Sequence, residues 1–369
     1  HQVTMVCGSY WLANSGLKSN FKNGYRQGVV DGINVIEFKL SYSNSDGFLR
    51  RSLTFIRYSL MSLLVLYKIN YDIIFSTSTP LTAGIPGIIS KIFSNKKFIF
   101  EVRDLWPELP REMGVIKSPL ILKAMDILES VTYKCADACI GLAPGIVEGI
   151  KKKSSAKKIS MIPNGCDLSL VKIAKKSMRV SNDFNLVFSG AHGIANGLDI
   201  LIEVGRKLKE MEINDVKIIL IGDGSEKKQL IEKKDKFKID NIIFKDPMKK
   251  IDLFSYLKTE ADIGLMILKN VPAFYYGTSP NKFFDYISLG LPVLNNYPGW
   301  VCNLIKENNC GIIVKPDDPG SFVKSILDIK DNKLKIEKMK NSAYDLAKNN
   351  FDRKTLSEKF VKFLDDIYL

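Results

Sequence analysis

Ser279-Pro280-Asn281-Lys282-Phe283-Phe284-Asp285-Tyr286, continuing as Ile287-Ser288-Leu289-Gly290-Leu291-Pro292-Val293-Leu294, is the stretch on which the fold turns. Pro280 suits the first turn of a helix, where its missing N–H costs nothing, and Ser279 suits the cap before it. The free amides behind them form a positive pole, to which Lys282 adds a full charge. Asp285 and Tyr286 follow one turn later, Gly290 stops the helix, and Pro292-Val293-Leu294 reads as the next short buried strand. Such a helix start can hold a phosphate. An ordinary capped helix in an α/β domain has the same local pattern, so the flanking chain has to decide.

Outward from that segment, strands and helices alternate from end to end. Short apolar strands are expected at 71–76, 97–102 and 138–142, with helices at 80–93 and 118–135. A second set of strands is expected at 185–189, 216–221, 242–244, 263–267 and 291–295. This is a doubly wound α/β pattern twice over. Met161-Ile162-Pro163-Asn164-Gly165 reads as the joint, which places a first domain at 1–165 and a second at 166–349.

The 369 residues suffice for two domains, and 46% hydrophobic with 25% charged residues indicate a globular chain. Lys and Arg number 54 against 40 Asp and Glu, a net charge of +14, so an anionic partner is expected. The basic residues are scattered and no aromatic–basic platform accompanies them, which argues against nucleic acid. Six cysteines without a C-x-x-C pair, and only two histidines, make a zinc site unlikely and a reducing cytoplasm the simplest compartment. No signal peptide is visible.

The helix expected at 49–68 carries two stripes. Arg50, Arg57 and Lys68 share one, and Leu49, Leu53, Ile56, Leu60, Leu63, Leu64 and Tyr67 another. The apolar stripe is expected to pack on the sheet with the bases in water; the alternative is an anionic membrane surface. Its unbroken apolar run is too short to span a bilayer.

In the second domain, Ser189 is followed by a glycine-rich loop, Gly190-Ala191-His192-Gly193-Ile194-Ala195-Asn196-Gly197, before a helix near Leu198. Gly190 and Gly193 would let backbone amides approach a diphosphate. Gly222-Asp223-Gly224 follows another strand, and Asp246-Pro247-Met248 the next. Each alone also fits an ordinary turn. In the first domain, Glu101, Asp104 and Glu108 leave a strand together with Arg103 and Trp106, and Ser76-Thr77-Ser78-Thr79-Pro80 ends a neighbouring one. Charges at the C-terminal edge of a strand suggest a cleft.

Taken in order, glycine loop, G-D-G, Asp-Pro-Met and S-P-N-K-F-F-D-Y resemble the donor side of the retaining glycosyltransferases of family four. The resemblance covers essentially the whole chain. It implies the GT-B fold, two Rossmann-like domains facing across a cleft, with the last helix at 350–369 packing back on the first domain. It implies a chain entered at the family's second strand, the first strand and its loop preceding His1. D-L-W-P at Asp104–Pro107 resembles a subgroup acting on acetamido sugars such as L-fucosamine in bacterial surface polysaccharides, including O-antigen and capsule.

The resemblance also assigns residues. Donor binding falls to Gly190, His192, Gly193, Asn196, Gly222, Asp223, Pro247, Met248, Ser279, Pro280, Asn281 and Asp285, with Asp285 on the ribose and uracil read by main-chain groups. Arg103, Asp104 and Lys282 take the catalytic positions. Two departures stand out: Ile194 and Asn196 occupy places where the family supplies Arg or Lys to the phosphates, and Gly277 stands where many relatives have an acid. The implied reaction is retaining transfer from a UDP-sugar to an acceptor on a polyprenyl diphosphate lipid, at the inner face of a bacterial plasma membrane. The β-phosphate takes the acceptor's proton and no cofactor or metal is needed. A UDP-sugar epimerase of GT-B shape and a non-catalytic nucleotide-sugar-binding subunit are the competing readings.

Overall fold

The computed structural model describes residues 1–10, 15–42, 46–94, 96–154 and 158–369. Its strands are β1 (Thr4–Tyr10), β2 (Tyr25–Val30), β3 (Ile33–Tyr42), β4 (Ile73–Thr77), β5 (Lys97–Val102), β6 (Ala138–Gly141) and β7 (Lys158–Met161). In the second half come β8 (Phe184–Ser189), β9 (Val216–Ile221), β10 (Ile242–Lys245), β11 (Ile263–Met266), β12 (Val293–Asn295) and β13 (Gly311–Ile313). The second domain is one parallel sheet in the order β10-β9-β8-β11-β12-β13, wound on both sides by helices. Its order reverses beside β8, so the crevice at the ends of β8 and β11 is where such a sheet takes a ligand. Leu186, Phe188, Ile218 and Leu220 fill one face, and Val187, Ile219, Ile221 and Met266 the other.

The first domain departs from a single parallel sheet. Strands β4-β5-β6-β7 form a parallel sheet, while β1-β3-β2 form a separate one in which β2 and β3 pair antiparallel. The hairpin closes through Asp31 and Gly32, at φ +48° and +82°, with Val30 opposite Ile33. Positive φ at both central residues is what a two-residue hairpin turn requires.

The amphipathic helix, Phe48–Leu66, faces the opposite way from expectation. Leu49, Leu53, Ile56, Leu60, Leu64 and Tyr67 are exposed, from 47% for Ile56 to 79% for Tyr67. Ser59, Ser62 and Val65 are turned inward instead. Ser59 Oγ donates to the Thr82 carbonyl at 2.7 Å, so a small polar side chain brings the helix close to the short turn Leu81–Gly84. Tyr58 completes the inner face by donating its hydroxyl to the Val6 carbonyl at 2.9 Å.

The chain crosses between domains twice at one place. Cys166 donates its amide to Phe351 at 2.7 Å and Arg353 donates back to Cys166 at 3.0 Å. Beyond that crossing the final helix, Arg353–Tyr368, lays Leu356, Phe360, Leu364 and Ile367 against Ile99, Ala138 and Ile140 of the first domain. No described helix is long and apolar enough to cross a membrane.

Candidate donor and acceptor site

The helix carrying the donor segment runs Asn281–Ser288 and ends at Gly290, whose φ of +63° suits glycine. Fully buried Tyr286 fixes its position. The Tyr286 hydroxyl lies 2.9 Å from the Ser189 amide, which donates to it, and 3.1 Å from Ser189 Oγ. Gly264 on β11 makes room for the ring, since a Cβ there would come within 2.5 Å of it. The helix therefore starts beside the end of β8, where the glycine loop leaves the sheet.

Ser279 is not the cap. Pro280 holds that position and no side chain caps the first turn. Ser279 reaches across the domain joint instead, its Oγ accepting from the Asn164 amide at 3.1 Å and its carbonyl from Asn164 Nδ2 at 2.5 Å. The amides of Asn281 and Lys282, in the first turn, have no intrahelical acceptor.

Lys282 folds over the glycine loop. Its Nζ donates to Asn196 Oδ1 at 2.8 Å and sits 4.3 Å from the centre of the Phe188 ring. Burial without a carboxylate partner pushes Lys282 down to about 7. Desolvation penalises the ammonium, and a ligand bringing negative charge would restore it.

The glycine loops lash to one another more than expected. Gly190 donates its amide to Ile221 at 3.0 Å, His192 to Asp223 at 2.8 Å, and Gly222 to Lys245 at 3.1 Å. The Gly190 amide is thus spent on the sheet. Among the described residues of the loop, the amides of Ala191 and Gly193 donate to no protein acceptor and are open to a ligand. Gly222 has φ +148°, and a Cβ on it would lie 1.9 Å from the Gly190 carbonyl. Only glycine lets the two turns meet so closely.

His192 is packed under the loop rather than open on its surface. Its ring is 0% exposed, wedged 6.1 Å from Phe188 and 6.0 Å from Phe244, with neither nitrogen hydrogen-bonded. Burial, followed by the nearby Lys227, pushes it down to about 4. It is a neutral ring packed beneath the loop.

Asp285 is 9% exposed and ion-paired with Lys250, a residue the sequence did not single out. Burial raises its carboxyl above the usual range and Lys250 opposes the shift. A ribose hydroxyl there would share the carboxylate with Lys250. Asp223 and Pro247 are exposed at the ends of their strands, while Met248 packs partly against the core.

In the first domain, Arg103 is exposed at the end of β5 and its amide donates to buried Ser78 Oγ at 2.8 Å. Thr79 Oγ1 donates to Asp104 Oδ2 at 3.4 Å. Desolvation pushes the Asp104 carboxyl up, with Arg103 opposing. The two neighbouring strand ends thus form one polar cluster. Thr79 has φ +96°, unusual for a β-branched residue.

The next helix, Glu108–Glu112, reaches the second domain. Glu112 Oε2 accepts from the Ala273 amide at 2.8 Å, Leu109 and Met113 pack on the second domain's core, and Trp300 packs against the cores of both domains. Ala273–Tyr276 leads directly into the Gly277-Thr278-Ser279 turn. Contacts from Glu112 and Asn164 therefore brace the donor turn from the first domain. Among the described residues, no three His, Cys, Asp or Glu side chains cluster to hold a metal.

Residues 172–346, which contain every donor element described above, match the family model of the glycosyl transferases group 1. The second domain is thus similar to the group 1 glycosyl transferases. The chain is a glycosyltransferase with two Rossmann-like domains, and its solved structural neighbours share that fold. Sucrose-phosphate synthase from Thermosynechococcus elongatus superposes with a TM-score of 0.71 at 13% identity, over 94% of this chain and 86% of that one. Anabaena HepE in complex with UDP and glucose gives 0.68 at 17% identity, over 88% and 85%. OtsA gives 0.73 at 12% identity, over 99% of both chains. A search of curated proteins returned no significant match. In this glycosyltransferase the family signal and the Lys282 turn fall in the same domain.

Proposed function

We propose that this glycosyltransferase moves an N-acetylated amino sugar, with retention, from a UDP-sugar to a lipid-linked saccharide in bacterial surface polysaccharide synthesis. The observation that carries the donor half is Lys282, held over the glycine loop without a carboxylate partner, beside the unengaged amides of Ala191 and Gly193. A diphosphate supplies the missing negative charge. HepE, a neighbour of the same fold, has been solved with UDP and with UDP-glucose.

The bond from the sugar's anomeric carbon to the β-phosphate breaks as the bond to the acceptor oxygen forms on the same face. The acceptor's proton passes to a β-phosphate oxygen. Lys282 and the first turn of its helix stabilise charge growing on the departing UDP, the kind of preorganised electrostatics that contributes most in such transfers. Arg103 and Asp104, across the cleft, serve the acceptor or the transferred sugar.

The exposed apolar face of Phe48–Leu66, flanked by Arg57 and Lys68, supports the lipid half. Apolar side chains at headgroup depth with bases beside them suit an anionic membrane surface, peripheral on the cytoplasmic side. The test is transfer itself. With UDP-N-acetylhexosamines and a polyprenyl diphosphate saccharide, a lengthened acceptor with the donor's anomeric configuration is expected. UDP binding without transfer to any such acceptor would leave a nucleotide-sugar-binding subunit; a changed sugar without acceptor would mean an epimerase.

A further inference from the structure

We infer that Asn196 is a positioning residue for Lys282, holding its ammonium on the glycine-loop side of the donor diphosphate. The inference rests on the UDP-sugar reading of the site. Asn196 Oδ1 accepts from Lys282 Nζ at 2.8 Å while Asn196 Nδ2 donates to the Ala191 carbonyl at 2.8 Å. One carboxamide therefore links the donor helix to the turn whose Ala191 amide is unengaged. The Phe188 ring, 4.3 Å from Nζ, closes the other side.

The amide matters because it is neutral and two-sided. An aspartate at 196 would pair with Lys282 and compete with phosphate; an aliphatic residue would leave the long Lys282 side chain free to swing. A basic residue at 196 would supply charge of its own, whereas Asn196 contributes none and acts through its neighbour. The other charged groups around the latch leave it that role. His192 beneath the loop is neutral, and Asp223 and Lys227 act on His192 from the G-D-G turn and the helix after it. Among the described residues, no carboxylate pairs with Lys282.

The experiment is a double-mutant cycle read by UDP calorimetry on the full chain: wild type, Asn196→Ala, Lys282→Ala and the pair, each at pH 6.5 and 8. Acting through Lys282, Asn196→Ala should weaken UDP about tenfold, the equivalent of one hydrogen bond to a charged group. It should weaken it little or not at all once Lys282 is alanine. Asn196→Asp, nearly isosteric, should also weaken UDP, with a pH dependence shifted upward because the carboxylate keeps Lys282 charged. Multiplicative single-mutant effects would overturn the inference, because Asn196 would then touch the nucleotide itself. So would an Asn196→Ala variant with unchanged affinity and pH dependence. Absence of UDP binding by the wild type would instead remove the donor reading on which the inference stands.

Discussion

The Ser189 amide donates to the Tyr286 hydroxyl at 2.9 Å, inside the second domain and away from solvent. That bond ties the helix bearing Lys282 to the strand that launches the glycine loop. Tyr286→Phe keeps the ring but leaves the buried Ser189 amide without its acceptor. Such an orphan costs roughly 1–3 kcal/mol. Denaturant unfolding should show a lower midpoint with unchanged slope, and UDP affinity should fall as well because Lys282 loses its register. Unchanged stability would mean that the hydroxyl is not what holds the helix.

Gly222 meets the Gly190 carbonyl so closely that no side chain fits. Gly222→Ala, also strained at φ +148°, is expected to cost on the order of 1–3 kcal/mol from the backbone alone. It should weaken nucleotide binding by parting the two turns. Gly193, with open space around its would-be Cβ, is the control, and Gly193→Ala should leave stability within about 0.5 kcal/mol of wild type. A thermal melt of each distinguishes the two.

Lys282 links donor binding to protons. The free site holds it near 7, and a diphosphate beside Nζ raises it, so the protonated form is the one that binds. Above pH 7 the free enzyme has lost that proton, and UDP affinity should fall as pH rises toward 8.5, by at most about tenfold per unit. Binding at pH 8 should take up close to one proton and at pH 6.5 much less. Titrations in two buffers of different ionisation enthalpy measure this uptake. No uptake at pH 8, or affinity rising with pH, would place Lys282 away from the phosphates.

Leu53 and Leu60 stand in solvent, so Leu53→Glu and Leu60→Glu should change stability by no more than about 0.5 kcal/mol. The same pair should lose flotation with vesicles containing an anionic phospholipid. Wild-type protein that stays unbound to those vesicles at low salt would contradict the membrane face, and a concentration-dependent dimer disrupted by the same substitutions would assign the stripe to a second copy.

Buried strands were legible because continuous apolar runs leave little choice. Strands β5 and β9 span the residues the sequence indicates, Lys97–Val102 and Val216–Ile221. The β2–β3 hairpin was not read, although Asp31-Gly32 between apolar runs is a strong local signal for it. The helix Phe48–Leu66 was found but turned the wrong way. Periodicity identifies a helix and its faces, while which face is buried depends on Thr82 and Phe38, residues outside it. At the site, the order of turns was readable. Contacts spanning long separations were not: Lys250 with Asp285, Asn164 with Ser279, and Asn196 with Lys282 have no local pattern. His192 shows the converse: the resemblance assigns it to the donor side, and only the packing of Phe188 and Phe244 shows its ring buried beneath the loop.

The donor half of the proposed function stands on UDP binding at the Ser279–Lys282 turn. The decisive measurement is a calorimetric titration of wild type and Lys282→Ala with UDP at pH 7. Wild type should bind clearly, and Lys282→Ala should weaken that binding roughly 10- to 100-fold, as expected for a charge-assisted bond to phosphate. Equal binding by both proteins, or no heat with UDP, GDP or ADP, would sink that reading and leave the segment as an ordinary helix start without a nucleotide.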